Sequence, residues 1–341
     1  MRRSRLPLWG LAVLLVAGMV AAGPVAAQDA ARTEPRFLRI GTGGQGGTYF
    51  PIGSLIARAI SDTSKGTDCP DARCGVPGLI AVAQTSNGSV SNVDALQNGE
   101  IEAALVQADV ADWAFRSTAL FAGRPAHDRL RFLAHLYSEA MHVVVRRTAG
   151  IRRFADLRGR PVALDEPGSG TLINVRNLLA AYGMQDNDLR GVYIKPDLAM
   201  SRMVAGKLDA FFILAGWPAK SVADAVGAGY ATLLSLDDGQ IDGLIKANPF
   251  LNRGQIPADA YAGTPAVTTF MVGAQLLVRA DLPDDLVANM LAAMWSERGH
   301  RILVKGHLRG ADIRLPDALT GRTLPLHPGA ARFYRDHGLL Q

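Results

Sequence analysis

The sequence predicts an α/β protein made of two lobes of similar plan, each built on an open sheet. Three observations carry this reading. Residues 37–61 place a short strand, a loop with five glycines in seven positions and an amphipathic helix in immediate succession. Further on, strand-like and helix-like segments alternate with short links, the pattern of open α/β sheets. The same phrases are then written twice. Gly99-Glu-Ile-Glu-Ala-Ala-Leu-Val is echoed by Gly206-Lys-Leu-Asp-Ala-Phe-Phe-Ile, and Leu38-Arg-Ile leading into Gly46-Gly47-Thr48 is echoed by Val162-Ala-Leu leading into Gly168-Ser169-Gly170-Thr171.

Each element follows from its residues. The first helix has Ile52, Leu55, Ile56, Ala59 and Ile60 on one face, Thr48 able to cap its start, and Pro51 in a first turn, where a missing N–H costs nothing. Leu79–Gln84 reads as a strand, Ser89–Asn98 as a helix stopped by Gly99, and Ala103–Gln107 as another strand. The helix after the second glycine loop carries Leu172, Val175, Leu179 and Tyr182 on one face. Leu130–Arg146 and residues 268–279 are long, extended and apolar, and are expected to cross from one lobe to the other. Residues 28–138 and 272–341 would then form lobe 1, and residues 139–271 lobe 2. Ligands of open α/β sheets sit beyond the carboxyl ends of the strands, so both glycine loops would face the cleft.

The N-terminus predicts export. Arg2, Arg3 and Arg5 precede an apolar run from Leu8 to Val20, and Val25-Ala26-Ala27 offers small residues for a signal peptidase, giving a signal peptide over residues 1–27 cleaved near Ala27. The run is too short for a spanning helix, and no cysteine stands near the cleavage site to carry a lipid. The expected compartment is the periplasm. Removing residues 1–27 takes away three arginines and no acid, so the formal charge falls from +5 to +2. The remaining basic residues are scattered among acids, without the basic stripe and interleaved aromatics that nucleic acid requires. The two cysteines, Cys69 and Cys74, lie in Asp-Cys-Pro-Asp-Ala-Arg-Cys-Gly and are expected to form a local disulfide rather than a metal site, since no further Cys or adjacent His completes a ligand set. No metal or other cofactor is expected.

The first loop also reads as G-x-G-x-x-G through Gly41, Gly43 and Gly46, with Asp62 where a ribose-binding acid would be sought. Export argues against a dinucleotide site, because free nicotinamide cofactors are not the usual currency outside the cytoplasm. A hydrolase would want G-x-S-x-G and a placed base, and Gly168-Ser169-Gly170 lacks that pattern. The reading is a binding protein, not an enzyme.

Five motifs in order, Gly41-Thr-Gly-Gly-Gln-Gly-Gly-Thr-Tyr-Phe-Pro-Ile-Gly, Asn87-Gly-Ser-Val-Ser-Asn, Val106-Gln-Ala-Asp-Val-Ala, Pro167-Gly-Ser-Gly-Thr and Leu326-His-Pro-Gly-Ala-Ala-Arg-Phe-Tyr, resemble those of TAXI-type solute-binding subunits of TRAP (tripartite ATP-independent periplasmic) transporters. The resemblance implies a type II periplasmic-binding fold, two α/β lobes joined by crossover strands that close on a small molecule. It also implies a monomer that hands its ligand to TRAP membrane permease subunits. Glutamate, glutamine or 2-oxoglutarate are bound by members of that family, so a small carboxylate or amino acid is the ligand class implied. A ligand-sensing protein read by a signalling partner, or a secreted enzyme, is the alternative. The chain departs from the pattern in its Cys69–Cys74 insert and in having Leu172 where a basic residue would follow Gly-Ser-Gly-Thr.

Candidate ligand contacts follow. Gly43, Gly44, Gly46, Gly47 and Thr48 form an anion cradle, in which backbone N–H groups and the positive end of the helix dipole face the ligand. Tyr49 is either a cleft wall or a core aromatic. Asn87 and Ser89 precede the next helix, and the Ser89 hydroxyl is either an N-cap or a ligand contact. Gln107 can donate and accept, whereas Asp109 suits a helix cap better than an anionic ligand. Ser169, Gly170 and Thr171 repeat the first cradle from the other lobe, so closure would sandwich one anion between two helix N-termini. Arg176 and Lys195 are either charge partners of the ligand or solvated surface, and Trp217 is either a lid or a core residue. His327-Pro328-Gly329 reads as a turn into a final helix.

Overall fold

The computed structural model describes residues 35–63 and 74–341. The segment read as a signal peptide, and Cys69 with the bridge expected from it to Cys74, lie outside the described residues.

The chain runs β1 (Arg36–Gly41), α1 (Tyr49–Ile60), β2 (Leu79–Gln84), α2 (Ser89–Asn98), β3 (Ala103–Gln107), α3 (Ala108–Arg116) and β4 (Leu130–Arg146). It continues through β5 (Pro161–Ala163), α4 (Gly170–Ala181), β6 (Arg190–Val192), α5 (Pro196–Val204), β7 (Ala210–Ala215), α6 (Lys220–Gly227), β8 (Ala231–Leu233) and α7 (Gln240–Ala247). The last elements are β9 (Asn252–Ile256), β10 (Val267–Arg279), α8 (Asp284–Met294), α9 (Glu297–Gly306) and α10 (Pro328–Asp336). The apolar alternation and the glycine stops place these boundaries. Gly99, for example, ends α2 in the left-handed conformation, where its N–H bonds back to the last turn.

The strands form one ten-stranded sheet in the order β2-β1-β3-β10-β4-β7-β5-β6, with β8 beside β4 and β9 beside β10. Two parallel blocks flank a central antiparallel pair. On one side β1 runs parallel to β2 and β3, and on the other β5 runs parallel to β6 and β7. The pair between them is β4 and β10, and each is far longer than the five or six residues of an ordinary strand. Their length lets each serve both blocks. The second part of β4, Ala140 to Val145, pairs with β7, while Ala274 to Val278 of β10 pairs with β3 at the other end. The β4/β10 ladder shifts register between Ala274 and Gln275 and again between Leu276 and Leu277.

The apolar cores follow this division. One packs β1, β2 and β3 against α1, α8, α9 and α10 around Ile40, Ile52, Ile56, Leu105, Leu276, Met290 and Tyr334, all at or near zero exposure. A second lies beneath α2 and α3 around Val93, Val110, Phe121 and Phe132. Two more cover the faces of β5 and β7, one under α4 with Val175, Leu178 and Phe212, the other under α5 and α6 with Met203, Phe211 and Val222.

Candidate functional site

Between the two blocks lies a cavity of about 60 Å³, lined from both sides. The α1 loop contributes Gly43, Gly44, Gly47, Thr48 and Tyr49, and the neighbouring β–α links contribute Asn87, Ser89 and Gln107. The opposite wall is Asp165, Glu166, Ser169, Gly170, Thr171, Lys195, Pro196 and the end of β7, Ile213 to Ala215. Glu139 closes the floor from β4. Twelve residues named from the sequence therefore meet in one place.

The walls touch along two seams. On one rim, the Ser91 N–H donates to the Gly168 carbonyl at 3.0 Å and the Asn87 side-chain amide donates to the Pro167 carbonyl at 3.1 Å. On the other, the Ser221 N–H and hydroxyl both donate to the Gly46 carbonyl, at 3.0 and 3.1 Å, and the Gly216 N–H donates to Thr48 Oγ1 at 3.0 Å. The cavity is thus enclosed by direct contact. Small residues make this approach possible. A Cβ on Gly170 would lie 2.0 Å from Gln107 Oε1, and one on Gly168 would lie 2.2 Å from Ser91 Oγ while also requiring φ near +93°.

Three expected contacts are corrected. Gly46 does not line the cavity: its carbonyl is engaged by Ser221, and a Cβ there would meet Ser221 and Asp197 at 3.2–3.4 Å, so it is a seam residue. Arg176 points to the surface, where it pairs with Asp186 at 2.8 Å and lies over the Tyr193 ring. It sits on the face of α4 opposite Val175 and Leu178, so the helical period that buries those two turns it away from the cleft. Trp217 is a buried core residue of the second block with the Arg309 guanidinium 4.3 Å above its ring, and it borders a separate groove with His135 and Tyr137.

The hydroxyls at the loop ends hold protein rather than standing free. Thr48 occupies the N-cap of α1 but makes no capping bond, its oxygen being used by Gly216 across the seam. Ser89 is the first residue of α2, behind a Gly88 N-cap, and its oxygen accepts the Gln107 N–H at 3.1 Å. Ser169 caps α4 by accepting the Leu172 N–H, and Thr171 Oγ1 accepts the Leu214 N–H at 3.2 Å. Asp165 lines the same wall, and the two hydroxyls beside its carboxylate partly offset the rise that burial gives its pKa. The expected anion site at the second helix start is thus filled by the protein's own acid.

Glu139, 1% exposed, is the acid that the sequence reading missed. The Tyr49 hydroxyl donates to its Oε2 at 2.8 Å, and the Gln107 side chain lies close enough to favour its charged form. Tyr49 is therefore neither a bare wall nor an inert core ring. Burial pushes the Glu139 carboxyl up to about 8, with nearby Asp109 adding to the rise. Burial likewise lifts Asp165 to about 7. Asp109 lies in the first turn of α3, where Val110 N–H and the Asn174 amide donate to it, and burial still raises it to about 6. Lys195 does face the cleft, with Nζ 3.1 Å from Glu166 Oε1 and 3.4 Å from the Ser86 carbonyl. Among the described residues that line the cavity there are three acids and this single cation. One signal in the sequence could have found Glu139: a lone acid in the middle of the long apolar strand 130–146. Asp165 and Glu166 carried none, because acids before Pro-Gly read as turn residues.

Among the described residues no group of His, Cys, Asp and Glu could hold a metal ion, and no helix is long and apolar enough to cross a membrane.

The sequence model of the NMT1-like family matches residues 40–338. Among solved structures, MatC from Rhodopseudomonas palustris with bound malate is 14% identical, over 80% of this chain and 88% of that one, with a TM-score of 0.51. The alkanesulfonate-binding protein SsuA from Xanthomonas axonopodis pv. citri bound to MOPS is 17% identical, over 91% of this chain and 96% of that one, at 0.45. The periplasmic aliphatic sulphonate binding protein SsuA from Escherichia coli is 17% identical over 90% and 95%, at 0.43.

Proposed function

We propose that this chain, which belongs to the NMT1-like family, is an extracytoplasmic solute-binding protein that captures a small organic molecule between two lobes. In this reading it delivers that molecule to the membrane subunits of a TRAP transporter. The single observation that carries the reading is the cavity itself, walled by residues from both sheet blocks and sealed by hydrogen bonds between them. A site built this way forms only when both walls are present, which is how binding energy is coupled to closure. In this reading the lobes are those expected from the sequence, residues 28–138 with 272–341 and residues 139–271, which would put the change of lobe within β4 and at β10. Export rests on the basic, apolar and small-residue pattern of residues 1–27, and the TRAP partnership on the motifs of the TAXI type. The fold shared with MatC is consistent with a binding role for the cleft.

The carboxylate-type ligand suggested by the TAXI resemblance finds support in the α1 start, which has no acid in its first turn and no side-chain cap, and in Lys195. The second helix start supports it less, being occupied by Asp165.

A thermal-shift screen of the mature protein against small organic acids, amines and amino acids tests the reading. A ligand at 100 times its dissociation constant adds roughly 2.7 kcal/mol, which raises the melting temperature by several degrees for a chain of this size. No shift across the panel would overturn the binding role, and chemical change of a shifting compound on incubation would overturn the non-enzymatic one.

A further inference from the structure

We propose that Glu139 is the specificity-determining residue of the cleft, a carboxylate held by Tyr49 beside Gln107 as the counter-ion for a protonated amine on the ligand. The inference rests on the binding reading above and names what that site selects.

The geometry comes first. Glu139 stands on the floor of the cavity, on the strand that belongs to both sheet blocks, and is 1% exposed. The Tyr49 hydroxyl donates to it at 2.8 Å, and the Gln107 side chain, which also lines the cavity, stands near it and favours its charged form. The Gln107 backbone is fixed in turn, its N–H donating to Ser89 Oγ at 3.1 Å. A side chain that a buried hydroxyl donates to is placed to accept, and an ionised carboxylate does so best. What the arrangement lacks is positive charge. The cation of the cavity, Lys195, is 3.1 Å from Glu166 on the opposite wall, and the groups that face Glu139 from the other elements are the phenols of Tyr49 and Tyr137 and the acid Asp109. Asp165 adds a further acid to the far wall. A buried carboxylate without a cation beside it is costly, and that cost pushes its pKa up to about 8. A ligand ammonium supplies the missing charge and lets the acid ionise, whereas a ligand offering only carboxylates adds like charge to an acid-rich cavity. The ammonium would replace the proton, which leaves the site for solvent.

Titration calorimetry on the mature protein with matched probes tests this: succinate and glutarate, aspartate and 4-aminobutyrate, and butylamine and putrescine. The expected result is that an amine-bearing probe binds at least about tenfold more tightly than its counterpart without the amine. Its binding at pH 7 should release a proton, read from the heat in buffers of different ionisation enthalpy, and its affinity should rise from pH 6 to pH 8 as the acids of the cavity become easier to ionise. Glu139→Gln, which keeps the shape and the hydrogen-bonding atoms, should abolish that preference. A carboxylate-only probe binding as tightly as the amines, binding without proton release, or an unchanged preference in Glu139→Gln would each overturn the proposal while leaving the binding role in place. If none of the probes of any class binds, the binding reading fails and this inference fails with it. The proton-release measurement needs no variant, so the test stands even if Glu139→Gln does not fold.

Discussion

The two glycine loops of this protein share a plan, strand to loop to helix, and differ in what fills the space at the helix start. Ahead of α1 the loop from Gly43 to Gly47 has no acid, the first turn has none either, and Thr48 leaves the helix uncapped by a side chain. Ahead of α4 the loop carries Asp165 and Glu166, Ser169 makes a capping bond to the Leu172 N–H, and Thr171 Oγ1 accepts the Leu214 N–H. The first start is open to a guest, and the second is satisfied from within. Sequence repetition thus marks a repeated fold element and not a repeated binding mode.

The largest test of this contrast is pH. Burial raises Glu139 to about 8, Asp165 to about 7 and Asp109 to about 6, so between the unfolded-chain values near 4 and these values the folded state holds protons that the unfolded chain has lost. Their contribution to stability is full at low pH and is lost as pH rises through 6, 7 and 8. His142 acts at the other end: burial lowers it to about 4, so its contribution is present above about 6.5 and lost as pH falls towards 4. Asp165→Asn, which keeps a residue type tolerant of the positive φ at that position, should remove part of the high-pH loss. A few kcal/mol at pH 8, or several degrees in thermal melts of the unliganded protein, is the expected gain. A melting profile from pH 5 to 9 unchanged by Asp165→Asn would remove the acid from its assigned place at the α4 start.

Next in size is closure. Gly168→Ala brings a Cβ to 2.2 Å from Ser91 Oγ, a clash that exists only when the walls meet, whereas Gly43→Ala meets Tyr49 Cβ at 3.6 Å, an ordinary contact. We expect ligand affinity to fall about 10- to 100-fold in the first, equivalent to roughly 1.4–2.7 kcal/mol lost from the closed state alone, and less than about threefold in the second. Calorimetry returning equal losses would erase the distinction between the loops. A smaller effect belongs to Asn87→Ala, which deletes one rim hydrogen bond to the Pro167 carbonyl. That bond contributes about 0.5–1.5 kcal/mol, so a several-fold rise in dissociation rate is expected by stopped-flow, with the association rate little altered. Smallest of all is Arg176→Ala. Its ion pair with Asp186 is half exposed, so thermal stability should change by less than about 1 kcal/mol and ligand affinity not at all.

How much of this was legible in the chain depends on the kind of signal. The strands and helices were, because each is written in local periodicity and punctuation: β4 begins and ends at the residues read from the sequence, and α2 stops at Gly99 as its left-handed stop requires. The cavity lining was largely legible too, since glycine loops at strand ends must face one edge of the sheet. What could not be read was which side of an element a residue would face once packed, and what its atoms would be bonded to. Arg176 lay one turn beyond the loop, yet the face of α4 that packs on the core turned it outward. Ser169 and Thr171 stand in the cavity wall, but the bonds their oxygens accept from the Leu172 and Leu214 N–H groups could not be read from the chain. Glu139 was hidden because its partners come from α1 and β3, 90 and about 30 residues away.

The paired central strands carry a mechanical consequence. β4 and β10 are the only described strands that belong to both blocks, so any separation of the walls has to be absorbed along this one ribbon. A two-stranded antiparallel ribbon resists stretching through its covalent backbone but twists and bends with little loss of hydrogen bonding, and most easily where its ladder is already irregular. The register shifts at Ala274/Gln275 and Leu276/Leu277 are such points. The molecule is built like a torsion flexure, stiff along its length and compliant in rotation. Its two blocks should swing as rigid bodies through a single coordinate, and amide exchange that changes with ligand should concentrate at these four residues and along the seams, leaving the sheet blocks on either side unaltered.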